Sequence, residues 1–167
     1  MSLLLSAIGA TVAAVLDVSL SSRYLTIGNA VPHLVLVVGV IWAIAAGIER
    51  GIAWAFVGGI VLDAILGRPL GATAFALLVA VGAALLIAQP LVRLRLLAPV
   101  VAVPVMSVVY SVLIVILTST GRPGAGLGDP VGLFLPSAIY DGVLGLVLGP
   151  LIVSAHDRQL AVERVDW

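Results

Sequence analysis

Three acids stand in unusual surroundings. Asp17, Asp63 and Asp141 each lie within or at the end of a long apolar run, and His33 and Arg68 lie near the ends of two such runs. On membrane-insertion scales a charged side chain at the centre of a spanning helix costs about 2.5–3.5 kcal/mol, so an acid there is a candidate functional group. Asp63 has three readings. As a helix-end acid it accepts backbone N–H groups of the turn at Gly67–Gly71. As one half of a buried pair with Arg68 or His33 it closes a hairpin. As a free carboxylate it relays protons or ions. Asp141, beside Tyr140, is expected in a solvated vestibule, and Asp17 and His33 at a hydrated interface.

Other chemistry is excluded by residue type. The chain has no cysteine and no lysine, so a disulfide, a thiolate nucleophile or metal site, a phosphate-loop lysine and a Schiff base are all impossible. His33 and His156 fall on opposite sides of the apolar slab, too far apart to share a metal. No cofactor and no catalytic set are expected. Ser107 and Ser111 share one helix face and are expected to bond to their own helix or a neighbour. Trp42 and Trp54 flank a short turn, as interfacial anchors do.

Such residues have to be positioned by elements built for lipid. Of 167 residues, 62% are hydrophobic and 10% charged, against about 25% charged in a soluble domain. A water-facing shell cannot be made from so few charges. An ordinary soluble enzyme, a disordered regulator and a nucleic-acid module are thereby excluded, and eight arginines balanced by eight acids leave no net field for polyanions.

A spanning helix needs about 20 mainly apolar residues. Six segments qualify or nearly do: 3–20, 32–48, 52–66, 70–88, 97–117 and 133–153, with a short polar tail at 154–167. The expected fold class is an all-α polytopic membrane protein, one domain of six transmembrane helices. The first segment reads as an anchor rather than a cleaved signal, because it has no basic start. Glu49-Arg50-Gly51 and Gly67-Arg68-Pro69 are read as turns between antiparallel neighbours. The third segment is short enough to be tilted, broken or re-entrant. A β-barrel is disfavoured by continuous rather than alternating apolar runs.

Arginine placement sets the expected orientation. With both termini cytoplasmic, Arg50, Arg93, Arg95, Arg158 and Arg164 lie inside and Arg23, Arg68 and Arg122 outside. Asp17 and Asp63 then sit near the outer helix ends. Asp141 sits about eight residues into the last span, about 12 Å deep at 1.5 Å per residue. Helix association in lipid relies on small residues. Ala10 and Ala14, and Gly145 and Gly149 in the terminal span, are each read first as ordinary packing within the chain; as partner faces Gly145 and Gly149 are the leading candidates, because a terminal span has fewer neighbours.

Spans two to four carry a more specific pattern. Pro32-His33-Leu34 opens an apolar helix, Gly58-Gly59-Ile60-Val61-Leu62-Asp63 ends the next, and Leu66-Gly67-Arg68-Pro69-Leu70-Gly71 forms the turn after it. This resembles the MreD family of rod-shape-determining membrane proteins, with Arg68-Pro69 a departure from the commoner small or polar residues. The motif residues carried by the resemblance are Gly59, Asp63, Gly67 and Gly71. The resemblance implies a non-enzymatic subunit of the bacterial inner membrane. Its implied partner is the single-span coiled-coil protein MreC, within machinery that includes a SEDS glycosyltransferase, a class B penicillin-binding protein and MreB filaments. The layout is also similar to the substrate-binding S component of energy-coupling-factor vitamin transporters. In that reading the Ala10/Ala14 face docks and the outer polar cluster binds a ligand.

Overall fold

A computed structural model describes residues 2–21, 30–89, 97–119 and 130–163. The glycine- and proline-rich loop at 120–129, and Arg23, Arg93, Arg95, Arg122 and Arg164, lie outside the described residues. Six helices are present: α1 (Ser2–Ser21), α2 (Leu34–Ala46), α3 (Ile48–Leu66), α4 (Ala72–Ala88), α5 (Ala98–Ser119) and α6 (Pro130–Glu163). Among the described residues there is no strand. Helices α1, α5 and α6 are long and apolar enough to cross a membrane, while α2 and α4 are shorter apolar helices.

Helix α2 is the axis of the bundle. It carries no charge from Leu34 to Ala46, and a helix apolar all round belongs in an interior. It packs against each of the other five helices, which follow one another around it in the order α1, α3, α4, α5, α6. The core is small side chains and aliphatics: Ala10 and Ala14 of α1, Val35, Val37 and Ile41 of α2, Leu77 and Val81 of α4, and Val103 of α5.

Close approach comes from glycines on α3. A Cβ at Gly59 would collide with the backbone of Ala74 on α4, and one at Gly58 would stand 2.8 Å from Val35 Cγ1 on α2. This is how small residues pack helices in lipid. Trp54 fills a slot between two other glycines. A Cβ at Gly9 would stand 2.8 Å from its ring Cζ3, and one at Gly39 2.8 Å from Cδ1. Its indole N–H donates to the Val35 carbonyl (3.1 Å). Trp54 is therefore a core residue rather than an interfacial anchor.

The turn between α2 and α3 differs from the expected Glu49-Arg50-Gly51. It is Gly47 alone, at φ 97°, a conformation that costs glycine little. Helix α3 then runs unbroken through Glu49 and Arg50 for 19 residues. Charges mark where the chain leaves lipid, but a first helical turn accommodates them as well as a loop does, and an acid there suits the helix dipole. Helix α3 is thus neither broken nor short. The turn from α3 to α4 uses Gly67 (φ 63°) and Gly71 (φ 94°).

Candidate functional site

Antiparallel alternation brings the ends of α1, α3 and α5 to the same side as the starts of α2, α4 and α6. Helices α2 and α4 have no side-chain cap of their own. The first four N–H groups of any helix lack an intrahelical acceptor, and within lipid no water replaces one. The three aspartates supply the acceptors from neighbouring helices.

Asp63, on the last turn of α3, is fully buried. Its Oδ2 accepts the N–H of Gly71 (2.8 Å), and the N–H of Thr73 is shared between Oδ1 (3.0 Å) and Oδ2 (3.1 Å). Both donors belong to the start of α4. Arg68 takes no part through its guanidinium, which instead donates to Thr73 Oγ1 (3.4 Å). Arg68 contributes its backbone N–H, donated to the Asp63 carbonyl (3.0 Å), as Gly67 does to the same oxygen. His33 is engaged elsewhere.

At the start of α2 two acids converge. Asp17 of α1 accepts Leu34 N–H at Oδ1 (3.2 Å) and Val35 N–H at Oδ2 (3.5 Å). Asp141 of α6 accepts His33 N–H at Oδ1 (2.8 Å), and its Oδ2 faces His33 Nδ1 at 2.8 Å. The Ser107 hydroxyl of α5 donates to the same Oδ2 (2.6 Å). An unprotonated Oδ2 that accepts from Ser107 makes Nδ1 the donor of its own pair. Tyr110 of α5 packs edge-on against the His33 ring, centroids 5.1 Å apart. Nearby, Ser137 Oγ accepts Val31 N–H (3.1 Å).

Asp141 is therefore not in a solvated vestibule: it is 0% exposed. Depth counted along α6 gave no sign that the start of α2 would meet it there with unbonded N–H groups. His33 is only partly hydrated, its side chain 24% exposed and its Nδ1 tied to Asp141.

The partner-face candidates point inward. Gly145 packs on Val103 and Gly149 on Pro99, both of α5, where an added Cβ would stand 3.0 Å and 2.9 Å from those side chains. Ala10 and Ala14 are 0% exposed, and Ala10 meets Gly58 of α3. Small residues mark close helix approach whether the neighbour is in the same chain or another, and here both faces are used within the chain.

Chemically, this is an arrangement of acceptors already engaged. Ser107 donates to Asp141 rather than lying against the imidazole, so His33 is not placed to take its proton. Among the described residues no group of three or more His, Cys, Asp or Glu is placed to hold a metal. Thr73, Tyr110 and Ser137 were not legible as members of the cluster. Thr73 alone carried a signal, standing at the start of a helix after a glycine turn. On the opposite side Trp42 donates its indole N–H to Ser6 Oγ (3.0 Å) and packs edge-on against His156, centroids 5.6 Å apart.

Residues 1–154 match the family model for rod shape-determining protein MreD. No curated protein and no solved structure matches the chain.

Proposed function

The chain belongs to the MreD family of rod-shape-determining membrane proteins, and from that premise we propose that it is a non-enzymatic subunit of the bacterial cell-elongation machinery. In this reading it binds the single-span protein MreC. Through MreC it helps control side-wall peptidoglycan synthesis by the SEDS glycosyltransferase and the class B penicillin-binding protein. It lies in the cytoplasmic membrane as one six-span domain, with both termini cytoplasmic. The five-to-three arginine bias supports that orientation.

The observation that carries the non-enzymatic reading is the use of the three buried aspartates. Asp17, Asp63 and Asp141 each hold the start of a neighbouring helix. Acceptors committed to backbone N–H groups fix helix positions and leave the site poorly suited to proton transfer. A rigid bundle whose polar groups serve its own assembly suits a scaffold.

Detergent co-purification from the native membrane, read by mass spectrometry, tests this. A single-span coiled-coil protein should be recovered with the chain. Recovery of ATPase subunits with a bound vitamin would replace the reading with that of a transporter S component.

A further inference from the structure

Equal cylinders pack six around one, and this bundle places five helices around α2. The ring α1–α3–α4–α5–α6 is not closed: no described Cα of α1 lies within 8 Å of one in α6, although packed helix axes stand about 8–10 Å apart. We infer that the cleft between α1 and α6 seats a single transmembrane helix of another protein, which completes the ring around α2. This rests on the reading of the chain as a subunit that binds a single-span partner.

The central helix records the gap. From Leu34 to Ala43 every α2 residue is buried except three, Leu34, Val38 and Trp42, which are half-buried. Their spacing of four residues puts them on one face. Trp42 fixes the direction of that face, because its indole reaches Ser6 of α1 and the ring of His156 on α6. The indole thus bridges the cleft at one end and forms its floor there. Beyond it, along Val38, α1 and α6 approach within 8 Å at no described Cα, and the far end is bounded by Val31 and His33, which bond to Ser137 and Asp141 of α6. On α6, Leu144 and Leu148 are also half-buried and packed on the core, one step around the helix from the Gly145–Gly149 face that meets α5.

The occupant follows from the width and chemistry of the cleft. One missing position in a ring of helices is one helix wide. Leu34, Val38, Leu144 and Leu148 are all apolar. Lipid depth admits only a backbone that satisfies its own hydrogen bonds. The match is one mainly apolar helix of about 20 residues, with small residues facing Val38.

The cysteine-free chain makes cross-linking clean. Single cysteines would be placed at Val38 and at Leu148, with Phe75 on the exposed face of α4 as the comparison. Each would be paired with single cysteines along the span of MreC and oxidised with copper phenanthroline in native membranes. Disulfides to MreC from Val38→Cys and Leu148→Cys, at least tenfold more than from Phe75→Cys, are expected. Val38→Trp should fill the cleft and lower MreC recovery at least tenfold while the bundle stays monodisperse, and Phe75→Trp should not.

Cross-links from Phe75→Cys alone, with MreC still co-purifying, would overturn the cleft as the site but leave the functional reading intact. Dimers of Val38→Cys that exclude MreC would make a second copy the occupant. Co-purification with no cross-link from any of the three positions would leave the cleft to lipid. Either result overturns the inference. Failure of MreC to co-purify at all would sink the functional reading itself, and this inference with it.

Discussion

Replacing Asp63 separates the roles of its charge and its oxygen atoms. Oδ2 accepts Gly71 N–H at 2.8 Å, and Thr73 N–H is shared between Oδ1 and Oδ2 at 3.0 and 3.1 Å. Asp63→Leu removes these acceptors in a fully buried place and strands two backbone donors. Each buried, unsatisfied group costs about 1–3 kcal/mol, so the loss is about 2–6 kcal/mol. Asp63→Asn can set its amide oxygen where Oδ2 stands and keep the Gly71 bond, but its NH2 then stands where Oδ1 accepts Thr73 N–H at 3.0 Å, which weakens the Thr73 bond at a cost of about 1 kcal/mol. It loses the interaction of a negative charge with the start of α4, about 0.3–2 kcal/mol. For a chain of this size 1 kcal/mol moves the thermal midpoint by about 2–4 °C. Thermal unfolding in detergent should therefore fall by about 12 °C for Asp63→Leu and about 6 °C for Asp63→Asn. Equal losses would refute the capping account and point to the charge itself, as in an ion pair or relay.

Four further outcomes follow from the same structure. Gly59→Ala should destabilise by about 1–3 kcal/mol through overpacking against Ala74, whereas Gly82→Ala, whose new Cβ meets nothing within 4 Å, should gain up to about 1 kcal/mol; thermal unfolding reads both. Gly145→Leu with Gly149→Leu should push α6 off Val103 and Pro99 and give a heterogeneous particle on gel filtration, and a monodisperse bundle would show that this face is free after all. Ser107→Ala leaves Asp141 both His33 donors and should cost about 1 kcal/mol, while Asp141→Ala strands the His33 N–H and Ser107 and should cost at least twice as much. Cysteines at the exposed positions Leu70 and Ile48 should label from opposite sides of the membrane, Leu70 from outside; labelling of both from one side would overturn the orientation.

The helices were legible because lipid imposes one strong rule, a long run without charge. That rule located all six segments. It misplaced the turn after α2, since Gly47 rather than Glu49-Arg50 breaks the chain, and composition weighs charge more than backbone conformation. Asp63 was legible as a helix-end acid because its partners are eight and ten residues away. Asp141 was not, because its partners are His33, 108 residues distant, and Ser107 on another helix. A pairing across that distance depends on how α6 is rotated against α2, and no local pattern encodes rotation. The Gly145–Gly149 face meets the same limit: of its two readings, packing within the chain is the one the structure has. Spacing shows that a helix has a close-packing face, but not which helix meets it.

The acids also explain how two short helices belong in a membrane bundle. Helices α2 and α4, at 13 and 17 residues, are about 20 and 26 Å long at 1.5 Å per residue, shorter than a hydrocarbon core of about 30 Å. A helix that begins below the surface leaves its first N–H groups without water, at several kcal/mol each. A buried aspartate is itself costly, by up to about 2.5–3.5 kcal/mol, the value for a charge at the centre of a spanning helix. Either group alone would oppose the fold, and together they offset each other, because the carboxylate accepts the N–H groups and faces the positive end of the helix dipole. The pairs at Asp63 with the start of α4, and at Asp17 and Asp141 with the start of α2, are therefore mutually dependent. Mutual dependence of this kind fixes register between α3 and α4, and among α1, α2 and α6. The same contacts set the positions of α1 and α6 relative to the central helix, and so the shape of the cleft between them.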